Sequence, residues 1–203
     1  MITVFTGLDG MGTSTISKKV SELDEGSILT KTPSDLFVER HMMDERLRDF
    51  SPDAHMMYYL MAVIAESDRL KACYDVKNTN IYITRYLIDT VVSNRVAGID
   101  IPYDYKIKLG NYAHEILVPD VTVFIDGDEV KRQQRISKRG KDCLDKVLDD
   151  PEKVKMFRRQ FIELLDPKKT IWINNNSDDP DKTAKEAFQK IKRFRKENGL
   201  YHS

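Results

Sequence analysis

Only two cysteines occur in the sequence, Cys73 and Cys143. That is too few for a disulfide framework or a Cys-rich zinc site, so both read as ordinary thiols in a reducing compartment. Net charge is absent as well, since 33 Lys and Arg balance 33 Asp and Glu. No overall field therefore draws the chain to nucleic acid or to an anionic membrane, although neutrality still allows a local basic patch. Long apolar runs are missing. The longest, around Met56 to Ala65, is broken by Glu66, Asp68 and Arg69, well short of the roughly 20 residues that span a bilayer. Met1 to Thr6 show no basic stretch leading into a long apolar one, so a soluble, cytoplasmic protein without a secretion signal is expected. None of the four histidines falls in a metal-ligand or triad spacing.

Apolar residues make up 40% of the 203 and charged residues 33%, which supplies both a core and a polar surface. The length fits one domain over 1–203, because single cores commonly serve roughly 100 to 250 residues. Short β-branched runs alternate with longer segments of helical period, which argues for βα units and a mostly parallel sheet. Strands are expected at Ile2 to Thr6, Ser27 to Thr30, Asn80 to Thr84, Val121 to Ile125 and Thr170 to Asn174. Helical patterns cover Ser14 to Leu23, Asp35 to Arg48, Pro52 to Tyr74, Leu87 to Gly98, Tyr105 to Leu117, Glu129 to Lys138, Pro151 to Leu165 and Asp181 to Arg195. Every strand thus reaches the next through helix. Ser51-Pro52 and Asp150-Pro151 look like helix starts, with an oxygen-bearing side chain ahead of a first-turn proline. The polar, Gly-containing stretch at about 137–147 has the composition of a mobile lid; a plain solvated loop has the same composition. Met56, Met57, Tyr58, Tyr59 and Met61 read as core packing rather than as a base pocket.

Gly7-Leu8-Asp9-Gly10-Met11-Gly12-Thr13-Ser14-Thr15 follows an apolar strand and precedes a helix, which is where a phosphate cradle belongs. Gly7, Gly10 and Gly12 allow the close backbone approach that lets successive N–H groups wrap a polyphosphate, Met11, Thr13 and Thr15 falling within the same wrap. The hydroxyl of Ser14 suits magnesium. The stretch departs from the P-loop pattern at one position, Thr13, where lysine is expected. By itself it also reads as a Gly-rich turn capped by Ser or Thr.

Taken together, these and four further segments resemble the thymidylate kinase family, in order and over nearly the whole chain. Phe5 to Gly12 is similar to its first strand and phosphate loop, with Asp9 matching an Asp between two glycines. Leu29-Thr30-Lys31-Thr32-Pro33 resembles its Arg-Glu-Pro segment, keeping only the proline and a basic residue. Ile83-Thr84-Arg85-Tyr86 resembles its Asp-Arg-Tyr motif, with Thr84 in place of the Asp. Val118 to Asp126 follows its Pro-Asp-Leu-Thr strand, and Arg135 to Asp142 its Arg-rich lid.

The resemblance implies a three-layer α/β/α P-loop kinase fold: a five-stranded parallel sheet with helices on both faces and an Arg-rich lid. It implies ATP and magnesium as cofactors, nucleotide substrates, and pairing of two copies through helices. Asp9, Arg85, Arg135 and Arg139 would then be catalytic, with Ser14 and Asp9 at the metal. Asp9, Pro33, Arg69, Arg85, Thr90 and Asn94 would meet the acceptor. Arg135 and Arg139, four apart on a predicted helix, project on one face and are expected to reach the phosphates together. The charge lost at Thr13 would come from Lys138, Lys141 or a lid arginine. A thymidylate-type nucleotide is the expected acceptor. Two other readings stay open: a kinase of a nucleoside or another small hydroxylated metabolite, favoured by the altered acceptor segments, and a non-catalytic nucleotide-binding protein, favoured by Thr13 and Thr84 together.

Overall fold

Strand β1 (Ile2–Gly7) is buried at every residue, which requires cover on both faces and a neighbour on each edge. In the computed structural model, which describes residues 1–35, 47, 50–140 and 148–200, β1 lies at the centre of a five-stranded sheet. It pairs in parallel with β3 (Ile81–Thr84) on one side and β6 (Val121–Asp126) on the other. Strand β2 (Ile28–Lys31) lies outside β3 and β7 (Thr170–Asn174) outside β6, giving the order β2-β3-β1-β6-β7. The register sets Phe5 beside Thr84 and Gly7 beside Ile125. The strands therefore end together, and ligands of open parallel sheets bind along that edge.

Helices cover both faces. Alternation along β1 sends Phe5 into one apolar cluster with Ile16, Val20 and Ile191, and Ile2 and Val4 into another with Val63, Leu70 and Leu87. The first involves α1 (Thr13–Leu23), α5 (Pro151–Leu164) and α6 (Pro180–Glu197), the second α2 (Pro52–Cys73) and α3 (Leu87–Val96). Local chemistry marks the helix starts: Asp128 accepts hydrogen bonds from the Val130 and Lys131 amides to cap α4 (Glu129–Arg139). Asp150 and Asp179 do the same for α5 and α6, each followed by a first-turn proline. Such caps are each worth about 1 kcal/mol.

Two expectations need correction. Tyr105 to Leu117 is not helical but an antiparallel hairpin of β4 (Lys106–Leu109) and β5 (Tyr112–Glu115). Its sequence alternates, Ile107 being buried between exposed Lys106 and Lys108, and the Gly110-Asn111 dipeptide supplies the two-residue turn that hairpins favour. The strands of the main sheet are still joined through helices. The methionines of α2 are also less buried than core packing implies: Met57 is 42% and Met61 52% exposed. Of the helix expected over Asp35 to Arg48 only residues 35 and 47 are described, and of the lid expected at about 137–147 residues 137–139 form the last turn of α4 while 141–147 lie outside the described residues.

One buried polar cluster ties α6 to the sheet. Arg195 donates to Asp24, 2.8 Å, and to the Tyr82 hydroxyl, 2.5 Å, while Tyr82 itself donates to Asp24, 2.6 Å. Removing one partner of a buried ion pair strands the other charge. Arg195→Ala is expected to cost about 3 to 5 kcal/mol in urea unfolding. Arg193→Ala, which loses only a surface pair with Glu197, should leave the urea midpoint essentially where it is, because solvent screens such exposed pairs.

Candidate active site

The phosphate loop runs from the end of β1 into α1. Gly7 and Gly12 carry φ of 149° and 87°, and neither site accepts a side chain. A Cβ on Gly7 would collide with the backbone carbonyl of Ile125, and one on Gly12 would lie 2.7 Å from Nδ2 of Asn175. Asn175 is there because it braces the loop: its amide donates to the Met11 carbonyl, 2.8 Å, and accepts from the Thr183 hydroxyl, 3.1 Å. Thr13 turns inward, 3% exposed, with no hydrogen-bond partner for its hydroxyl, whereas Ser14 and Thr15 are exposed. The position that would carry the P-loop lysine is thus a buried neutral side chain.

Arg85 organises the other side. It follows β3 with φ of 66°, a left-handed conformation that is uncommon for a residue with a side chain and costs about 1 to 3 kcal/mol. Its guanidinium reaches Asp9 through Nη2 and Asp89 through Nη1, each at 2.6 Å, and also donates to the Gly7 carbonyl. Burial works against this charge, and the carboxylates of Asp9 and Asp89 outweigh it, holding the guanidinium above the ordinary arginine range. Asp89 in turn accepts from the Thr6 hydroxyl, 2.7 Å, and from the Tyr86 amide, 3.0 Å, closing the first turn of α3.

Thr84, where the family pattern has an acid, is buried and shares a 2.7 Å hydrogen bond with Ser17, whose hydroxyl contacts the Ser14 carbonyl at 3.1 Å. A neutral relay thereby joins the end of β3 to α1. Beside it opens a cleft of about 670 Å³ lined by Ser14, Lys18, Lys31, Ser34, Arg69 and Thr84. Arg69 lies along one wall with Nε and Nη2 committed to the fully buried Glu66, at 3.0 and 2.6 Å, and Nη2 also to Thr30, 3.2 Å. The contact with Glu66 holds its pKa above the ordinary range. The hydroxyl of Ser34 is buried and has no hydrogen-bond partner among the described residues.

The structure brings Asp9 and Arg85 together, and Ser14 and Arg69 to one cleft. Pro33 is buried at the entrance to the Ser34 wall. Other expected residues stand apart. Thr90 and Asn94 are buried within α3, the Asn94 amide donating to the Thr90 carbonyl at 2.8 Å, and neither lines the cleft. Arg135 does not join Arg85. It donates to the carbonyls of Asn175 and Ser177, at 2.8 and 3.0 Å, on the turn after β7, and Arg139 is exposed at the end of α4.

Several neighbours escaped the sequence reading. Asp89 has a visible signal, the Arg85–Asp89 spacing of one helical turn. Asn175 stands just beyond a strand end, where parallel sheets collect ligand-facing groups. Arg132, fully buried, donates to the Asp9 carbonyl, 3.2 Å, and to the Leu148 carbonyl, 3.0 Å, while pairing with Glu129 at 2.6 Å. Nothing local announces that reach.

A parallel sheet whose first strand ends in a Gly-rich cradle opening into a helix, with a carboxylate-gripped arginine on the next strand over, is the architecture of a P-loop phosphotransferase. Solved structures agree on the fold: thymidylate kinase from Candida albicans matches with a TM-score of 0.72 at 15% identity, over 95% of this chain and 91% of that one. Deoxyadenosine kinase from M. mycoides matches at 0.68 and 18%, over 95% and 100%. Residues 5–187 match the thymidylate kinase family model, and the chain belongs to that family. A probable thymidylate kinase of Methanococcus maripaludis is 28% identical over 148 residues, 71% of this chain and 69% of the relative. A thymidylate kinase of Campylobacter jejuni is 25% identical over 172 residues, 81% and 88%.

The strained backbone at Arg85 yields a test. Arg85→Ala and Arg85→Gly both remove the guanidinium, but only glycine relieves the left-handed conformation. Arg85→Gly is expected to be more stable than Arg85→Ala by about 1 kcal/mol in urea unfolding, with both less stable than the parent because Asp9 and Asp89 lose their partner.

Proposed function

We propose that this protein transfers the γ-phosphoryl group of ATP to a thymidylate-type pyrimidine nucleoside monophosphate. The observation that carries this reading is the cleft beside the phosphate loop: it joins Ser14 at the donor end to Lys31, Arg69 and the unpartnered Ser34 hydroxyl at the other. Phosphoryl transfer asks for positioning and charge stabilisation rather than covalent help. The loop amides from Gly10 to Ser14 hold the donor phosphates, and Arg85, fixed by two carboxylates, presents a rigid positive charge where donor and acceptor meet. Arg135 and Asn175 brace the donor side.

Magnesium fits this site as a nucleotide-borne ion. Among the described residues no group of three His, Cys, Asp or Glu side chains stands ready to hold a metal, and one oxygen of Asp9 is committed to Arg85. The Ser14 hydroxyl is the ligand we assign, since Mg²⁺ usually takes only one or two protein ligands and completes its shell with phosphate oxygens and water. When bound it neutralises phosphate charge. Among the described residues no helix is long and apolar enough to cross a membrane, and we place the protein in the cytoplasm. We assign the exposed Met57 and Met61 face of α2 to a second copy of the chain.

A second reading is favoured by one observation, the burial of Thr90 and Asn94 away from the cleft: a nucleoside or another small hydroxylated metabolite would then be the acceptor. ADP release from ATP and magnesium against a panel of nucleoside monophosphates and nucleosides separates the two. Thymidylate is expected to be turned over fastest; preferential turnover of an unphosphorylated nucleoside would replace the first reading with the second. Arg85→Ala should lower kcat about 10²- to 10³-fold. Arg135→Ala, which loosens the donor-side turn, should raise the KM for ATP more than it lowers kcat.

A further inference from the structure

Helix α1 carries two adjacent lysines with opposite circumstances. Lys19 is paired with Asp181 at 2.7 Å. Lys18 is exposed, lines the cleft, and has no ion pair or hydrogen bond among the described residues. It differs in this from the other cations there: Lys31 is paired with Asp35 at 2.8 Å and Arg69 with Glu66 at 2.6 Å. The cations expected from the sequence to compensate for Thr13 are less well placed. Lys138 lies near Asp178, whose carboxyl is held low first by Lys131 and then by Arg135 and Lys138, on the far side of the loop. Lys141 lies outside the described residues.

Lys18 follows Ser14 by four residues, so the two share one face of α1. Their Cα atoms are separated by about 6 Å along the axis, and helical side chains lean back toward the N-terminus, over the preceding turn. Lys18, Ser14 and Thr84 line the same cleft, and the four-carbon stem of a lysine is long enough to carry its ammonium back one helical turn, the distance to Ser14. Thr13 and Thr84, buried and neutral, add no charge of their own there, and the other charged residues that line the cleft, Lys31, Asp35 and Arg69, are already paired.

We propose that Lys18 supplies the cation that this phosphate loop lacks at Thr13, its ammonium meeting the phosphoryl group in transfer. The inference rests on the kinase reading above. An acceptor oxygen forms the new bond to the γ-phosphorus while the bond to the β–γ bridging oxygen breaks, and ADP leaves with the electron pair. Lys18 stabilises the shared charge and neither gains nor loses a proton.

Lys18→Met should lower kcat about 10²-fold, with Lys18→Arg retaining most of the activity and Lys19→Met, on the same helix, leaving it unchanged. Thr13→Lys introduced into the Lys18→Met background should recover much of the loss, because it returns the charge from the usual position. Binding of ATP and of AMP, each measured by calorimetry, reads the same charge without turnover: Lys18→Met should weaken ATP about 10-fold and leave AMP untouched. A Lys18→Met protein with normal kcat and an unaltered ratio of ATP to AMP affinity would overturn the proposal. So would a double variant no better than Lys18→Met, or a loss equalled by Lys19→Met. Should the wild type turn over no nucleotide at all, the kinase reading fails while the affinity ratio still decides the role of Lys18.

Discussion

The guanidinium of Arg85 is the contact on which the rest of the site depends. Three groups that have no reason to approach one another meet on it: the Asp9 carboxylate in the phosphate loop, the Asp89 carboxylate on α3 and the carbonyl that ends β1. Without the arginine, two negative charges would share a largely buried space with an unsatisfied carbonyl, an arrangement that desolvation makes very costly. The gain from pairing them exceeds the strain of a left-handed backbone at residue 85, and the arginine stays charged despite its burial. Phosphate loop, β3 and α3 are thereby held in one fixed relation before any ligand arrives. Preorganised charge of this kind is the largest single contribution many enzymes make to their reaction.

The opposite side of the loop is held through backbone carbonyls rather than carboxylates. Asn175 grips the Met11 carbonyl, Arg132 the Asp9 carbonyl, and Arg135 the turn from which Asn175 projects. Against this frame the two departures from the family pattern fit together. Thr13 removes a positive charge and Thr84 a negative one, and both positions become buried and neutral. Thr84 then joins Ser17 in a hydroxyl relay to α1, a contact that leaves no ionised acid buried beside it.

How much of this was legible in the sequence depends on distance along the chain. The strand, loop and helix from Ile2 to Leu23 were readable because glycine spacing, apolar runs and helix starts are local signals. The five strands were placed within a residue or two for the same reason. The hairpin at 106–115 carries its alternation and its Gly-Asn turn in the sequence, but strands of four residues are too short for a two-residue period to stand out from the βα units around them. Arg69 was found, but Glu66, which is fully buried beside it, was read only as a charge interrupting an apolar run. In the fold it accepts a hydrogen bond from Thr30 on β2, 36 residues away. Arg135 was assigned to the phosphates from its neighbours, whereas its position is set by carbonyls 40 and 42 residues further on. Contacts of that range are products of the folded topology and leave no mark on the residues around them.

The tie between Asp24 and Arg195 has a consequence for how the protein is made. The two residues are 171 positions apart, and at ribosomal rates of about 5 to 20 residues per second that interval lasts roughly ten to thirty seconds. Throughout it the nascent chain carries the carboxylate that will close the buried cluster on β3 without the cation that neutralises it there. The central strand, made before its neighbours, likewise waits for β3 to cover one edge and then β6 to cover the other. The native sheet and the buried cluster beside it are therefore both completed late in synthesis.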